Sequence, residues 1–516
     1  MVLIRSISIV GFFTLMSRIT GLVREMLVAH YLGAGLVTDC FNVAWKLPNM
    51  FRRLFAEGAL SSAFIPLFSE TLEHDGKHEA RLFASRILSF TCLILGVLCA
   101  LMILFMPWVM YAFAPGFSGA PGKHDLAVEL ARITFVYLFF ISICALFAGI
   151  LNALGRFAAG AVAPVLLNVV SMVGLVGLIS VTPTPGHALA WGVACAGVAQ
   201  VVWLGITLWR SGFLPRFVRP VASPRVRLLL ARMMPVAFGA GLYQIGLVVD
   251  VMLASFLQQG SISWLNFADR INQLPLGVVG IAVGTALLPL LSRHIAAGDT
   301  VAALESQNRG VEFSLLLTLP AAVGLVALAF PIVSVIYERG AFTAEDTQAT
   351  AMALMAFSVG LPAYVLVKVF LPGFFARGDT RTPFRIAALS LGVNVVLSVV
   401  LMQFLGHVGL ALSTACASVV NAGCLMFVLA QRGQYVMDAR FKQRLPRTVA
   451  ATCCMGGALY GIHFLLASAF AFEVWVILFL KITGGAVTFL VSAILLGAVT
   501  RDDLRLFGTR RSHEEP

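Results

Sequence analysis

The chain has 516 residues, 59% of them hydrophobic and 12% charged, with 36 Lys and Arg against 24 Asp and Glu and a formal net charge of +12. A mean hydropathy of +0.94 excludes a soluble domain and a disordered chain alike, and points to an all-α polytopic membrane protein. Nucleic acid is excluded as the reason for the positive charge, because the basic residues follow a membrane pattern.

Apolar runs near the 20 residues or so that span a bilayer as a helix fall at 7–31, 36–60, 83–107, 130–152, 161–181, 187–208, 233–256, 263–291, 311–335, 348–371, 384–405, 408–430, 449–470 and 475–498, which predicts fourteen transmembrane helices. The first run follows Arg5 but is interrupted by Ser17, Arg18, Arg24 and Glu25, so it reads as a retained helix rather than a secretory signal. Ser17 and Arg24 stand seven apart, as do Arg18 and Glu25, which puts two adjacent polar stripes on one broad face. On the second run Asp39, Lys46 and Arg53 repeat every seven residues, with Asn49 and Arg52 beside them and Pro48 removing a helical hydrogen bond. Arg53 has Glu57 four residues on, an ion-pair spacing.

A cation at the centre of a membrane helix costs about 2.5–3.5 kcal/mol. Arg18, Arg24, Lys46, Arg52 and Arg270 together approach the roughly 5–15 kcal/mol that stabilises a whole domain, unless they line a wet cavity or meet anions. A cavity that handles a negatively charged substrate is therefore expected. Arg24 with Glu25 and Lys46 with Asp39 have a second reading, as packing pairs. In the seventh run Asp250 either takes a coupling cation or proton or pairs with a cavity cation. In the eighth, Asp269 is placed to neutralise and orient Arg270.

The chain also repeats itself. FNVAWKLPN (41–49) returns as LNFADRINQ (265–273), pairing Asn42 with Asn266, Ala44 with Ala268 and Lys46 with Arg270 at a spacing of 224. Six helices per repeat put both halves in the membrane with the same orientation. The expected organisation is a six-helix lobe at 1–208, a cytoplasmic linker at 209–232, a second lobe at 233–431, a cytoplasmic loop at 432–448, two further helices at 449–498 and a cytoplasmic tail at 499–516. Lys46 and Arg270 are expected to face one another on the path between the lobes. With fourteen crossings, twenty-five basic residues fall on the N-terminal side of the membrane and three (Lys123, Arg132, Arg339) on the other, which predicts that both termini are cytoplasmic. The nine cysteines lie in apolar runs without CxxC spacing and read as small buried hydrophobes rather than a metal site.

GLVREMLVAHYLGAGLVTDCFNVAWKLPNMFRRLFAEGALSSAFIPLFSE (21–70), ADR (268–270) followed by LPLGVVGIAVGTALLPLLS (274–292), and KVFLPGFFARGDTRTP (368–383) resemble the MurJ (MviN) family of lipid II flippases, within the multidrug/oligosaccharidyl-lipid/polysaccharide exporter superfamily. The resemblance implies two six-helix lobes plus two C-terminal helices that supply a lipid-tail groove. It implies Arg18, Arg24, Arg52 and Arg270 as cavity arginines with Asp39 as their acidic partner. The substrate would be lipid II, the undecaprenyl-pyrophosphate-linked sugar-peptide, flipped across the bacterial inner membrane by alternating access, with membrane lipids and the cell-wall synthesis machinery as partners. Some members bind sodium through acids matching Asp250 and Asp379, but Phe374 and Phe375 stand where the accompanying amide is expected.

No nucleotide-hydrolysis motif is present, so a transporter driven by membrane potential or a Na+ or H+ gradient is expected, with no cofactor and no enzymatic activity. Two alternatives stay open: a flippase for another polyprenyl-pyrophosphate-linked oligosaccharide, and a cation-coupled drug exporter, whose cationic substrates call for an acidic cavity.

Overall fold

Backbone polar groups inside a bilayer find no water, so apolar spans close their hydrogen bonds within helices. The computed structural model describes residues 2–53, 60–221, 223–467 and 473–500; Glu57 and residues 501–516 of the expected tail lie outside them. The described residues form α1 (Val2–Leu32), α2 (Leu36–Phe51), α3 (Ser61–His74), α4 (Gly76–Leu104), α5 (Met106–Phe113), a 3-10 turn (Pro115–Gly119), α6 (Lys123–Ala153), α7 (Phe157–Leu178), α8 (Pro185–Arg210), α9 (Pro224–Ser255), α10 (Ser261–Ala296), α11 (Thr300–Ala327), α12 (Ala329–Tyr337), α13 (Ala344–Val359), α14 (Leu361–Phe375), α15 (Arg381–Gln431), α16 (Ala439–Ala467) and α17 (Val474–Leu495).

Among the described residues, eight helical spans are long and apolar enough to cross a membrane: α4, α6, α7, α8, α11, α13 with α14, α15 and α17. The other expected runs fall on α1, α2, α9, α10 and α16. α15 carries two runs, separated at Gly406, whose φ of 54° and ψ of −129° break the helix in a conformation that favours glycine. Large apolar side chains such as Trp108, Phe404 and Leu495 stand more than two-thirds exposed, as a lipid-facing surface requires.

The second apolar run is not α-helical throughout. Pro48 has no N–H for the carbonyl of Ala44, and that carbonyl instead accepts from Thr134 Oγ1 of α6 at 3.1 Å. Past Phe51 the backbone widens into a π-helical turn at Arg52 and Arg53, a feature that often re-aims functional side chains. The run at 311–335 is likewise divided, at Leu328 between α11 and α12.

The chain divides into two compact units, residues 1–263 with 339–343, and 264–338 with 344–516. In the first, Phe64, Phe68 and Phe83 form a stacked core with Leu151 and Leu204. α7 and α8 approach so closely that a Cβ on Gly174 would lie 2.4 Å from the Gly192 Cα, the small-residue contact that lets membrane helices pack. Gln200 joins three helices, accepting from Tyr137 at 3.3 Å and donating to the Ala163 carbonyl at 2.6 Å. α9 packs in this unit, against α3, α4 and α5. In the second unit, Leu287, Leu291, Val369, Phe370, Leu425 and Tyr435 form the core, and α16 with α17 pack through Leu459 and Gly485.

The short segment 339–343 belongs to the first unit although its flanking helices belong to the second. The Ala341 N–H donates to the His30 carbonyl at 2.8 Å. A Cβ on Gly33 would lie 2.4 Å from the Ala341 carbonyl oxygen, and one on Gly340 2.3 Å from that of His30, so two glycines with positive φ allow the segment to seat on the end of α1.

Candidate functional site

The polar stripes on α1 are held in place from α7. Asn168 donates to the Ser17 carbonyl at 3.0 Å and to Thr20 Oγ1 at 3.1 Å, which fixes the rotation of the helix that bears Arg18 and Arg24. Arg18 is half-buried and enters no ion pair among the described residues. Arg24 differs: its guanidinium lies 2.7 Å from Glu25 Oε1, with both side chains buried. The neighbouring-residue pairing departs from the seven-residue stripes, because the long arginine side chain turns back along the helix.

On α2, Arg52 donates from Nε to Asn49 Oδ1 at 3.2 Å, and Asn49 donates to the Trp45 carbonyl at 3.1 Å. Asn49 thereby braces Arg52 through its side chain. Arg53 is exposed and Lys46 half-buried. Lys46 lies within electrostatic reach of Asp250 on α9. In the second unit Asp269 accepts from Gln273 one turn on, and the adjacent Arg270 is half-buried.

Asp39 requires a correction. Among the described residues the partners of its carboxylate are not arginines, nor the Lys46 of its own stripe. Oδ2 accepts from Lys123 Nζ at 3.1 Å and from the Gly260 N–H at 2.8 Å, and Oδ1 accepts from the Ser263 N–H at 3.0 Å and Oγ at 2.7 Å. An acid on α2 therefore caps the N-terminus of α10, where unpaired N–H groups and the helix dipole favour an anion. Charge balance comes from Lys123 at the start of α6.

Sequence reasoning counted Lys123 only as a topological cation. Its signal was present: a lysine in the first turn of a helix opposes the helix dipole and so calls for an anion nearby.

Asp379 is also committed. It caps α15 by accepting from the Thr382 N–H at 3.0 Å and pairs with Arg432 at 2.7 Å. The Thr382 hydrogen bonds, and after them Arg432, hold its carboxyl well below the usual carboxylate range.

A repeat-built bundle that carries cations inside apolar helices is the architecture of a polytopic membrane transporter. The model of the family described as "Lipid II flippase MurJ" matches residues 28–481. A "Probable lipid II flippase MurJ" of Rhizobium meliloti (strain 1021) is 43% identical over 466 residues, covering 89% of this chain and 86% of its own length. A "Lipid II flippase MurJ" of Burkholderia cenocepacia is 34% identical over 462 residues, covering 89% and 90%. A solved structure of lipid II flippase MurJ in an inward closed conformation superposes with a TM-score of 0.79 at 27% identity, covering 94% of this chain and 97% of that one. An inward-facing multidrug resistance MATE family transporter of the MOP superfamily shares the fold, with a TM-score of 0.68 at 15% identity over 81% and 94%. The chain belongs to the lipid II flippase MurJ family.

Proposed function

We propose that this protein carries lipid II from the cytoplasmic to the periplasmic leaflet of the bacterial inner membrane by alternating access. Arg18 carries this reading: a half-buried guanidinium on an apolar helix, in no ion pair among the described residues, in a chain of the lipid II flippase family. A pyrophosphate supplies the missing anion, and the guanidinium fork makes paired charge-assisted hydrogen bonds to it. Arg24 and Arg52 extend the cationic path on the first unit, where Ser17, Lys46, Asn49, Arg53 and Glu25 line or orient it. On the second unit Arg270 is the cation assigned to the substrate, with Asp269 to orient it.

Both termini lie in the cytoplasm in this reading, which places the starts of α2, α6 and α10 on the periplasmic side. An ion gradient or the membrane potential drives the cycle, and Asp250 beside Lys46 is the acid assigned to coupling. Asp379, already a cap and an ion-pair partner, is not.

A drug exporter would need acids free to meet a cation. Glu25 and Asp39 on α1 and α2 are each bonded to one already.

Vesicles containing the purified protein and labelled lipid II test the proposal. Translocation should rise when a potential or a sodium or proton gradient is imposed, and a cationic dye should not be carried. Dye transport without lipid II movement would reverse the assignment.

A further inference from the structure

Asp39 divides its hydrogen bonds between two sets of partners. One set is the first turn of α10 and the residue before it: the N–H of Gly260 and the N–H and hydroxyl of Ser263. The other is Lys123 alone, whose side chain is 6% exposed and whose ammonium also lies 4.4 Å from the centre of the Phe117 ring.

Lys123 belongs with α2. Cys40 Sγ lies 3.3 Å from the Lys123 carbonyl, and Thr134 of the same helix holds the Ala44 carbonyl that Pro48 leaves free. α2 and α6 are thus joined along their length, whereas the turn at 260–263 opens a helix of the second repeat.

The second repeat makes the corresponding tie differently. Trp264 at the start of α10 donates its indole N–H to Asp346 at the start of α13 at 2.9 Å.

We propose that Lys123 is a positioning residue of the periplasmic gate. It holds the Asp39 carboxylate charged and aimed at the first turn of α10 while the gate is closed, and it keeps that carboxylate paired when the turn is released. Without it, each opening would leave a bare buried carboxylate; with it, Asp39 exchanges three donors for water and never loses its counter-ion. The inference rests on the alternating-access reading.

The test uses the full chain in a cysteine-free background with Ser261→Cys as reporter, since Ser261 is fully buried in this structure. Lys123→Met should raise labelling of that cysteine by an externally added, membrane-impermeant maleimide at least fivefold and cut lipid II translocation at least tenfold. Lys123→Arg should restore both toward the parent. If Lys123→Met lowers abundance, the double variant Asp39→Asn/Lys123→Met, which leaves neither charge unpaired, should recover abundance while labelling stays raised. Labelling within twofold of the parent in both variants overturns the proposal and leaves Lys123 a structural ion-pair partner. Labelling is read without substrate, so a parent protein that labels as expected but moves no lipid II would remove the flippase reading and not this one.

Discussion

Asp39 and Ser263 stand 224 positions apart, the spacing at which the two halves of the sequence align, and they are hydrogen-bonded to each other twice, at 2.7 and 3.0 Å. Positions that the repeat makes equivalent have thus diverged into an acceptor and a donor that meet. Ser263→Ala removes one of the four bonds to the carboxylate and should cost about 1.5–3 kcal/mol, the usual range for a hydrogen bond to a charged group. Asp39→Ala strands the buried Lys123 and should cost more, about 3–5 kcal/mol. Thermal unfolding of the two variants in detergent measures the difference, and equal losses would contradict the division of partners.

Arg18 and Arg24 should respond differently to the same substitution. Arg24→Ala removes the cation bonded to buried Glu25 and should lower stability by up to about 3–5 kcal/mol, with abundance recovered by Glu25→Gln in the same chain. Arg18→Ala breaks no ion pair among the described residues, so abundance should stay near the parent. Immunoblots of membranes set beside lipid II translocation separate the two outcomes, because transport should fall in both.

The cations within the apolar runs were legible in the sequence, because ionisable residues on α1, α2 and α10 interrupt those runs and each costs energy that demands a reason. The helical hydrogen bond missing at the Ala44 carbonyl was announced by Pro48, and the break in α15 by the gap between two runs at Gly406. A lysine in the first turn of α6 calls for an anion, but which anion was not legible: its partner lies 84 residues away, and no local period links the start of α6 to α2. The split at Leu328 left no trace either, since hydropathy continues across it and carries no information on backbone angles.

Gly33 and Gly340 should tolerate no larger residue. Gly340→Val places atoms where the His30 carbonyl already sits, 2.3 Å from a Cβ, and adds a β-branched side chain at a φ of 62°, so the segment 339–343 should lift from α1. Faster proteolysis of that segment from the outside is the expected readout, with an unchanged pattern counting against the seating described.

Asp379 gives a pH signature. Its folded-state pKa is depressed by the Thr382 hydrogen bonds and by Arg432, so the stabilisation it contributes is complete above the unfolded value of about 4 and is lost as pH falls toward the folded one. Asp379→Asn should therefore lower Tm at pH 7, and the gap from the parent should shrink steadily below about pH 4. A gap that stays constant down to pH 3 would show that the charge is not what stabilises this turn.

The central claim is that arginines within the membrane helices bind the pyrophosphate of lipid II, and Arg18 tests it most directly. Translocation of labelled lipid II should be measured in vesicles with equal amounts of parent, Arg18→Ala and Arg18→Lys protein. The account predicts a loss of at least tenfold for alanine and partial recovery for lysine, which keeps the charge but not the fork. Parent-like translocation by Arg18→Ala at matched insertion would contradict it.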